Sequence, residues 1–242
     1  MASSSFPAPA LADVLARGDI WRGDALASLP ETSIPSGYPE LDAELPGGGW
    51  PRGNLTELLV DRSGIGEISL LLPALASLSA AGGWLALVAP PYLPHAPAWA
   101  AAGIAPERLL IVRSGQQTAW CLEQLLKSGG LAGVLAWPDA GIDARALRRL
   151  QVAAEGQPVF AALWRSTAAA AMPSPAPLRV QLEKGEAGKE ESLRVRILKR
   201  RGRPASQALA LTIARPGRNK RVVAGPAFSV IDAGSPAAAA VA

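Results

Sequence analysis

Five short apolar runs are spaced along the chain: LTELLV (55–60), WLALV (84–88), RLLIV (108–112), LAGVLAW (131–137) and VFAALW (159–164). Helix-like segments separate them, over 67–80, 97–102, 118–128 and 144–155, with Pro73 either kinking the first or shifting its start. This alternation limits the possible folds more than any other feature. Strands separated by helices pair in parallel through crossovers rather than through hairpins. Near-continuous apolar runs fit strands covered on both faces. After Arg165 the pattern changes to three alternating segments, Leu178 to Leu182, Leu193 to Leu198 and Ala208 to Ile213. The polar stretch EKGEAGKEES joins the first two as a hairpin turn, which predicts an antiparallel addition to the sheet. The expected fold is α/β: a wound, mostly parallel sheet flanked by helices, with C-terminal antiparallel strands.

Composition narrows the chemistry. The chain of 242 residues has 48 Ala, 24 Gly and 22 Pro, so much of its apolar content buries little area per residue. Of its seven Trp, the six at 50, 84, 99, 120, 137 and 164 are expected to supply bulk to the core rather than stacking platforms for bases. One cysteine, Cys121, excludes an intramolecular disulfide framework and a Cys-based zinc site. One histidine, His95, argues against His-dependent triads and multi-histidine metal sites, and both residues read as structural. No apolar run is long enough to span a bilayer, and the start MASSSFPAPALADVLARGD has no basic stretch followed by an apolar one. A cytoplasmic protein without metal is expected.

The formal net charge of +4 conceals an asymmetry. Residues 1–165 carry 11 Lys+Arg against 15 Asp+Glu, and residues 166–242 carry 13 against 5. Such a basic C-terminal third suits an acidic partner or a polyanion, or is a solvated basic hairpin. The candidate contact residues are Arg194, Arg196, Lys199, Arg200, Arg201 and Arg203. Arg145, Arg148 and Arg149 share one helix and add to this set, or form its solvated face. The domain reading is an N-terminal arm over 1–30, a core over 31–232 that includes the basic β extension 178–223, and a disordered tail over 233–242.

The first apolar run leads through a glycine-containing loop into a helix, the placement of a phosphate-binding P-loop. A working P-loop, G-x4-G-K-[ST], cradles phosphates with backbone N–H groups, neutralises them with Lys and holds magnesium with a hydroxyl. The stretch Asp61, Arg62, Ser63, Gly64, Ile65, Gly66, Glu67, Ile68, Ser69 keeps only the second glycine, as Gly66. Asp61 stands at the first glycine position, Glu67 at the Lys position and Ile68 at the hydroxyl position. At about 4 Å and an effective dielectric near 20, each like-charge pair between Glu67 and a triphosphate costs roughly 4 kcal/mol. Arg62 is the only nearby cation. The stretch is a degenerate nucleotide loop, an ordinary strand–turn–helix, or a loop that uses a displaced cation.

Around this loop the chain resembles the RecA family. The likeness rests on TSIPSGYPELD (32–42), LPGGGWPRGNLTELL (45–59), LLIV (109–112), QQTAWCLEQLLKSGGLAGVLAWPD (116–139) and the basic turn KRRGRP (199–204). More narrowly it resembles the ImuA group of RecA-like accessory proteins, through WPRGNLTELL (50–59), DRSGIGEISLLLPAL (61–75) and the segment ending IWRGD (20–24). The resemblance covers roughly residues 10–232.

This resemblance implies a RecA-like fold and a non-catalytic role in SOS-induced translesion DNA synthesis. It implies an ImuB-like relative of Y-family polymerases as partner, with RecA and an error-prone DnaE-type polymerase as further partners and DNA contact as secondary. Some relatives carry the name SulA, which implies the alternative of a division inhibitor that binds FtsZ. The RecA Walker B carboxylate matches the end of strand 131–137, where this chain has Trp137-Pro138-Asp139, so Asp139 is displaced and reads more readily as a helix or turn cap. The catalytic glutamate of RecA matches Ala89-Pro90-Pro91, which has no carboxylate. Its DNA-binding loops match PDAGID (138–143), which is very short, and STAAAAMPSPAP (166–177), which has no Lys or Arg. The expectation is no hydrolysis and no cofactor. An N-terminal helix with Leu15, Ile20 and Trp21 resembles the RecA docking arm, or packs back on its own domain.

Overall fold

The computed structural model describes residues 32–138, 142–185, 192–202, 207–213 and 228–233. Its strands are β1 (Ser33–Ile34), β2 (Trp50–Pro51), β3 (Asn54–Leu59), β4 (Trp84–Val88), β5 (Leu109–Arg113), β6 (Leu131–Ala136), β7 (Phe160–Arg165), β8 (Leu178–Lys184), β9 (Ser192–Lys199), β10 (Leu209–Thr212) and β11 (Ser229–Asp232). Its α-helices are α1 (Pro39–Asp42), α2 (Leu72–Ala80), α3 (Ala96–Ala101), α4 (Thr118–Lys127) and α5 (Ala144–Ala154).

β1 and β2 form a small antiparallel pair, and the other nine strands form one sheet in the order β10-β9-β8-β3-β7-β6-β4-β5-β11. The seven from β8 to β11 run parallel, and β9 and β10 add antiparallel strands at one edge. The protein is therefore α/β, with a large, mostly parallel mixed sheet flanked by helices. The strand alternation divides its core. Leu85 and Leu87 of β4 face a cluster with Leu75 and Leu78 of α2 and Trp99 of α3. Ala86 and Val88, the intervening residues, face a cluster with Leu122 and Leu126 of α4 and Leu147 and Leu150 of α5. Period-two alternation with both sets buried makes these runs continuously apolar.

Four features depart from the sequence expectations. α2 starts at Leu72 rather than at Glu67, with Pro73 in its first turn, so the proline shifts the start instead of kinking the helix. Proline lacks an N–H and fits the start of a helix better than its interior, so residues 67–71 form successive turns instead. β8 pairs parallel with β3 before β9 and β10 reverse direction, so the antiparallel part begins one strand later. β11 was not anticipated: its four residues, SVID, are all exposed and give no alternation signal. Finally, Trp84 and Trp120 are 41% and 56% exposed and supply no core bulk. Trp84 opens β4 at the sheet rim, and Trp120 lies across α4 from the buried Cys121, Leu122 and Leu126.

In β9, Leu193, Val195 and Ile197 are buried while Arg194 and Arg196 face outward, as a sheet covered on one face requires. α5 is capped by Asp143, whose carboxylate accepts the Ala146 N–H at 2.6 Å. Among the described residues no helix is long and apolar enough to cross a membrane.

Candidate functional site

The loop from Asp61 to Glu67 leaves the C-terminal end of β3, a strand inside the sheet between β7 and β8. In parallel α/β sheets this rim is where ligands sit. Gly64 and Gly66 have φ of +87° and +107°, left-handed conformations that suit glycine. They flank the buried Ile65 and turn successive N–H groups toward one point.

That point is occupied by the chain itself. The Glu67 carboxylate folds back over its own loop and is 4% exposed. Its Oε2 accepts N–H groups from Gly64 at 3.1 Å, Ile65 at 3.0 Å and Gly66 at 3.1 Å. Its Oε1 also lies 3.0 Å from the Gly64 nitrogen. Convergent backbone N–H groups of this kind hold phosphates in nucleotide-binding loops. Here Glu67 itself supplies the anion. No Lys or Arg among the described residues pairs with this carboxylate, so the three amides compensate its burial.

The rest of the loop divides by exposure. Asp61, Arg62 and Ser63 are exposed, and the Asp61 carboxylate accepts the Thr167 hydroxyl from the turn after β7. Ile68 packs against the core, and Ser69 is half-buried beside it. Beside the loop lies a cavity of about 550 Å3, whose walls include Arg62, Trp137, Ile142, Trp164 and Met172. Trp137 and Trp164 stack there, with ring centres 4.3 Å apart and planes 13° from parallel. At the end of β4, where the resemblance puts a catalytic glutamate, Ala89 takes a φ of +50° and donates its N–H to the Val112 carbonyl. For an L-residue that conformation costs roughly 1–2 kcal/mol.

Below the rim is an ion network that the sequence reading missed. Glu57, in the middle of β3, is fully buried. It accepts Arg165 Nη1 at 3.0 Å, Arg179 Nε at 2.7 Å and the Ser174 hydroxyl at 2.6 Å. Arg179 also donates to the carbonyls of Ala169 at 2.6 Å and Met172 at 3.1 Å, and so holds the short 3-10 turn Thr167–Ala171 against the sheet. Lys199 donates to the Ser174 carbonyl at 2.8 Å. Burial, then the positive Arg179, push the Lys199 ammonium below its usual range, and Glu57 opposes this. One carboxylate inside the buried run LTELL was the available sequence signal.

The predicted basic contact residues that the structure describes differ in exposure and pairing. Arg194 and Arg196 are exposed on β9, and Arg194 lies 4.0 Å from Glu183. Lys199 is engaged with Ser174, as above. Arg200, with its side chain 7% exposed, pairs with the Glu44 carboxylate and donates to the Glu44 carbonyl at 2.6 Å. Arg201 is exposed. Leu15, Ile20, Trp21, Asp139 and Arg203 lie outside the described residues. On α5, Arg149 sits 3.3 Å from Glu123, which also takes Lys127 at 2.7 Å. The Lys127 hydrogen bond leads the effects that lower the Glu123 carboxyl below its usual range. Cys121 is buried, and burial pushes its thiol up. His95 is exposed at the start of α3. Among the described residues, no cluster of three or more His, Cys, Asp or Glu could hold a metal ion.

Comparison with known proteins gives no family model and no curated protein that matches the chain.

Proposed function

We propose that the chain is a non-catalytic, RecA-like accessory protein of translesion DNA synthesis that works through protein contacts in the cytoplasm. The observation that carries the non-catalytic part is the Glu67 carboxylate seated on the amides of Gly64, Ile65 and Gly66. A γ-phosphate would have to displace that carboxylate, and would then meet no Lys at position 67 and no hydroxyl at position 68. The mostly parallel sheet is compatible with a RecA-like fold. The biological role rests on the sequence resemblance around 45–75.

On this reading the principal partner is an ImuB-like protein, with RecA and a DnaE-type polymerase as further contacts. Arg194 and Arg196, which face outward from β9, are the first residues to test at such contacts. The direct experiment is a pull-down of the ImuB-like protein from the same genome, with purified FtsZ as a second bait. Association with the first at micromolar concentration supports the proposal. No association between folded proteins overturns it, and selective capture of FtsZ replaces it with the division-inhibitor alternative.

A further inference from the structure

The Gly64–Gly66 segment raises a question separate from translesion synthesis: whether Glu67 only blocks the loop or replaces the ligand that such a loop needs. The geometry favours replacement. Three successive amides share one oxygen, Oε2, at 3.0 to 3.1 Å. A neutral acceptor satisfies such a concentration of donors poorly, whereas an anionic oxygen makes stronger, charge-assisted hydrogen bonds to them. A blocking side chain needs only to fill space. Here the carboxylate makes every hydrogen bond that the concavity offers through these amides.

The backbone supports the same conclusion. Gly64 and Gly66 meet no crowding that would require a missing side chain: an added Cβ finds nothing within 4 Å at Gly64 and only an Ile213 methyl at 4.0 Å at Gly66. Their role is conformational, in holding positive φ on either side of Ile65. Glycine gives that shape no rigidity, and leaving the amides of the buried Ile65 and the half-buried Gly66 unpaired would favour opening. The shape therefore needs an acceptor. Ile65 and Ile68 pack into the core on either side of Glu67, and the buried carboxylate ties the amides of Gly64, Ile65 and Gly66 to one point.

We propose that residues Gly64–Gly66 form an oxyanion site whose resident ligand is the chain's own Glu67 carboxylate, an internal phosphate surrogate that holds the loop with its amides converging on one point. This rests on the phosphate-loop placement but not on any role in translesion synthesis. The site matches one small oxyanion: a carboxylate, sulfate or inorganic phosphate. It lacks the cation and hydroxyl that a magnesium–triphosphate needs. Glu67 is thus a positioning residue, and the loop surface is set without any nucleotide.

The test is chemical rescue of Glu67→Ala and Glu67→Gln in the full chain. Two quantities are read, amide hydrogen exchange at residues 64–66 and melting temperature, in chloride, acetate, sulfate and inorganic phosphate at matched ionic strength. Separate arms contain tripolyphosphate and Mg-ATP. In chloride, exchange at these amides should accelerate about tenfold or more in the Ala variant, and less in the Gln variant. Phosphate or sulfate should restore protection and raise the melting temperature of the Ala variant while leaving the wild type unchanged. A variant that folds only when phosphate is present supports the proposal. Unchanged exchange in the Ala variant, or failure of every anion to restore protection or folding, overturns it. Rescue by Mg-ATP at lower concentration than by phosphate overturns the single-anion site and favours a nucleotide site. Neither result depends on whether the ImuB-like protein binds.

Discussion

Replacing Arg179 by Met removes the guanidinium that bridges two parts of the rim. Its Nε bonds Glu57 at 2.7 Å, and its other nitrogens reach the Ala169 carbonyl at 2.6 Å and the Met172 carbonyl at 3.1 Å. Glu57 is fully buried and cannot turn to solvent in exchange. Breaking a buried ion pair from one side costs about 3–5 kcal/mol, because the remaining charge stays desolvated. Arg165 and Ser174 still contact Glu57, which places the expected loss near the low end, about 3 kcal/mol. For a chain of this size that corresponds to roughly 6–12 °C in Tm. Urea unfolding followed by tryptophan fluorescence measures the loss, with the slope m checked for constancy. The combination of Glu57→Leu, Arg165→Met and Arg179→Met removes all three charges and should recover much of it, since apolar replacement of a buried ion network is often neutral or stabilising. An Arg179→Met protein within about 0.5 kcal/mol of wild type would refute the reasoning, as that is the range of substitutions at undistinguished surface sites.

Other expectations follow from single residues. The buried Cys121, with its thiol raised by desolvation, should react with a disulfide reagent only as the protein unfolds, so the rate should climb with urea. The Lys199 ammonium is lowered from 10.5 by burial and by Arg179, so between its folded value and 10.5 the unfolded chain holds more protons. Stability should therefore rise with pH in that alkaline window, and Lys199→Gln should flatten the slope in pH-dependent urea titrations. Gly49→Ala would place a Cβ 2.3 Å from the Ile34 carbonyl oxygen, a backbone atom that cannot move aside cheaply, and should lower Tm by several degrees in a thermal melt.

Five of the seven parallel strands, β3 to β7, were readable from the sequence because each is a short apolar run bounded by turns, and β4 and β6 are the plainest cases. Their order across the sheet was not readable, since nothing local in LTELLV says that it lies between β7 and β8. Pro73 marked the start of α2 uncertainly, because a proline in the first turn and one that kinks a longer helix leave the same trace. β11 is held by pairing with β5, and its exposed SVID carries no periodic signal. At the site, Glu67 was legible as a wrong charge. Its return onto the amides behind it was not, because that depends on the φ values of Gly64 and Gly66. Glu57 was overlooked because strand patterning treats one charged residue among four buried neighbours as noise. Its meaning depends on Arg165 and Arg179, both more than a hundred positions away.

The central claim is that the loop holds its own carboxylate and has no use for a nucleotide. Titrating wild-type protein with Mg-ATP while following its thermal unfolding tests that most directly. Ligand at about 100 times its Kd stabilises a folded protein by about 2.7 kcal/mol, roughly 5–11 °C for a chain of this size. The account predicts no shift at millimolar Mg-ATP and no phosphate release. A saturable rise in Tm, or turnover that Glu67→Ala leaves intact, would contradict it.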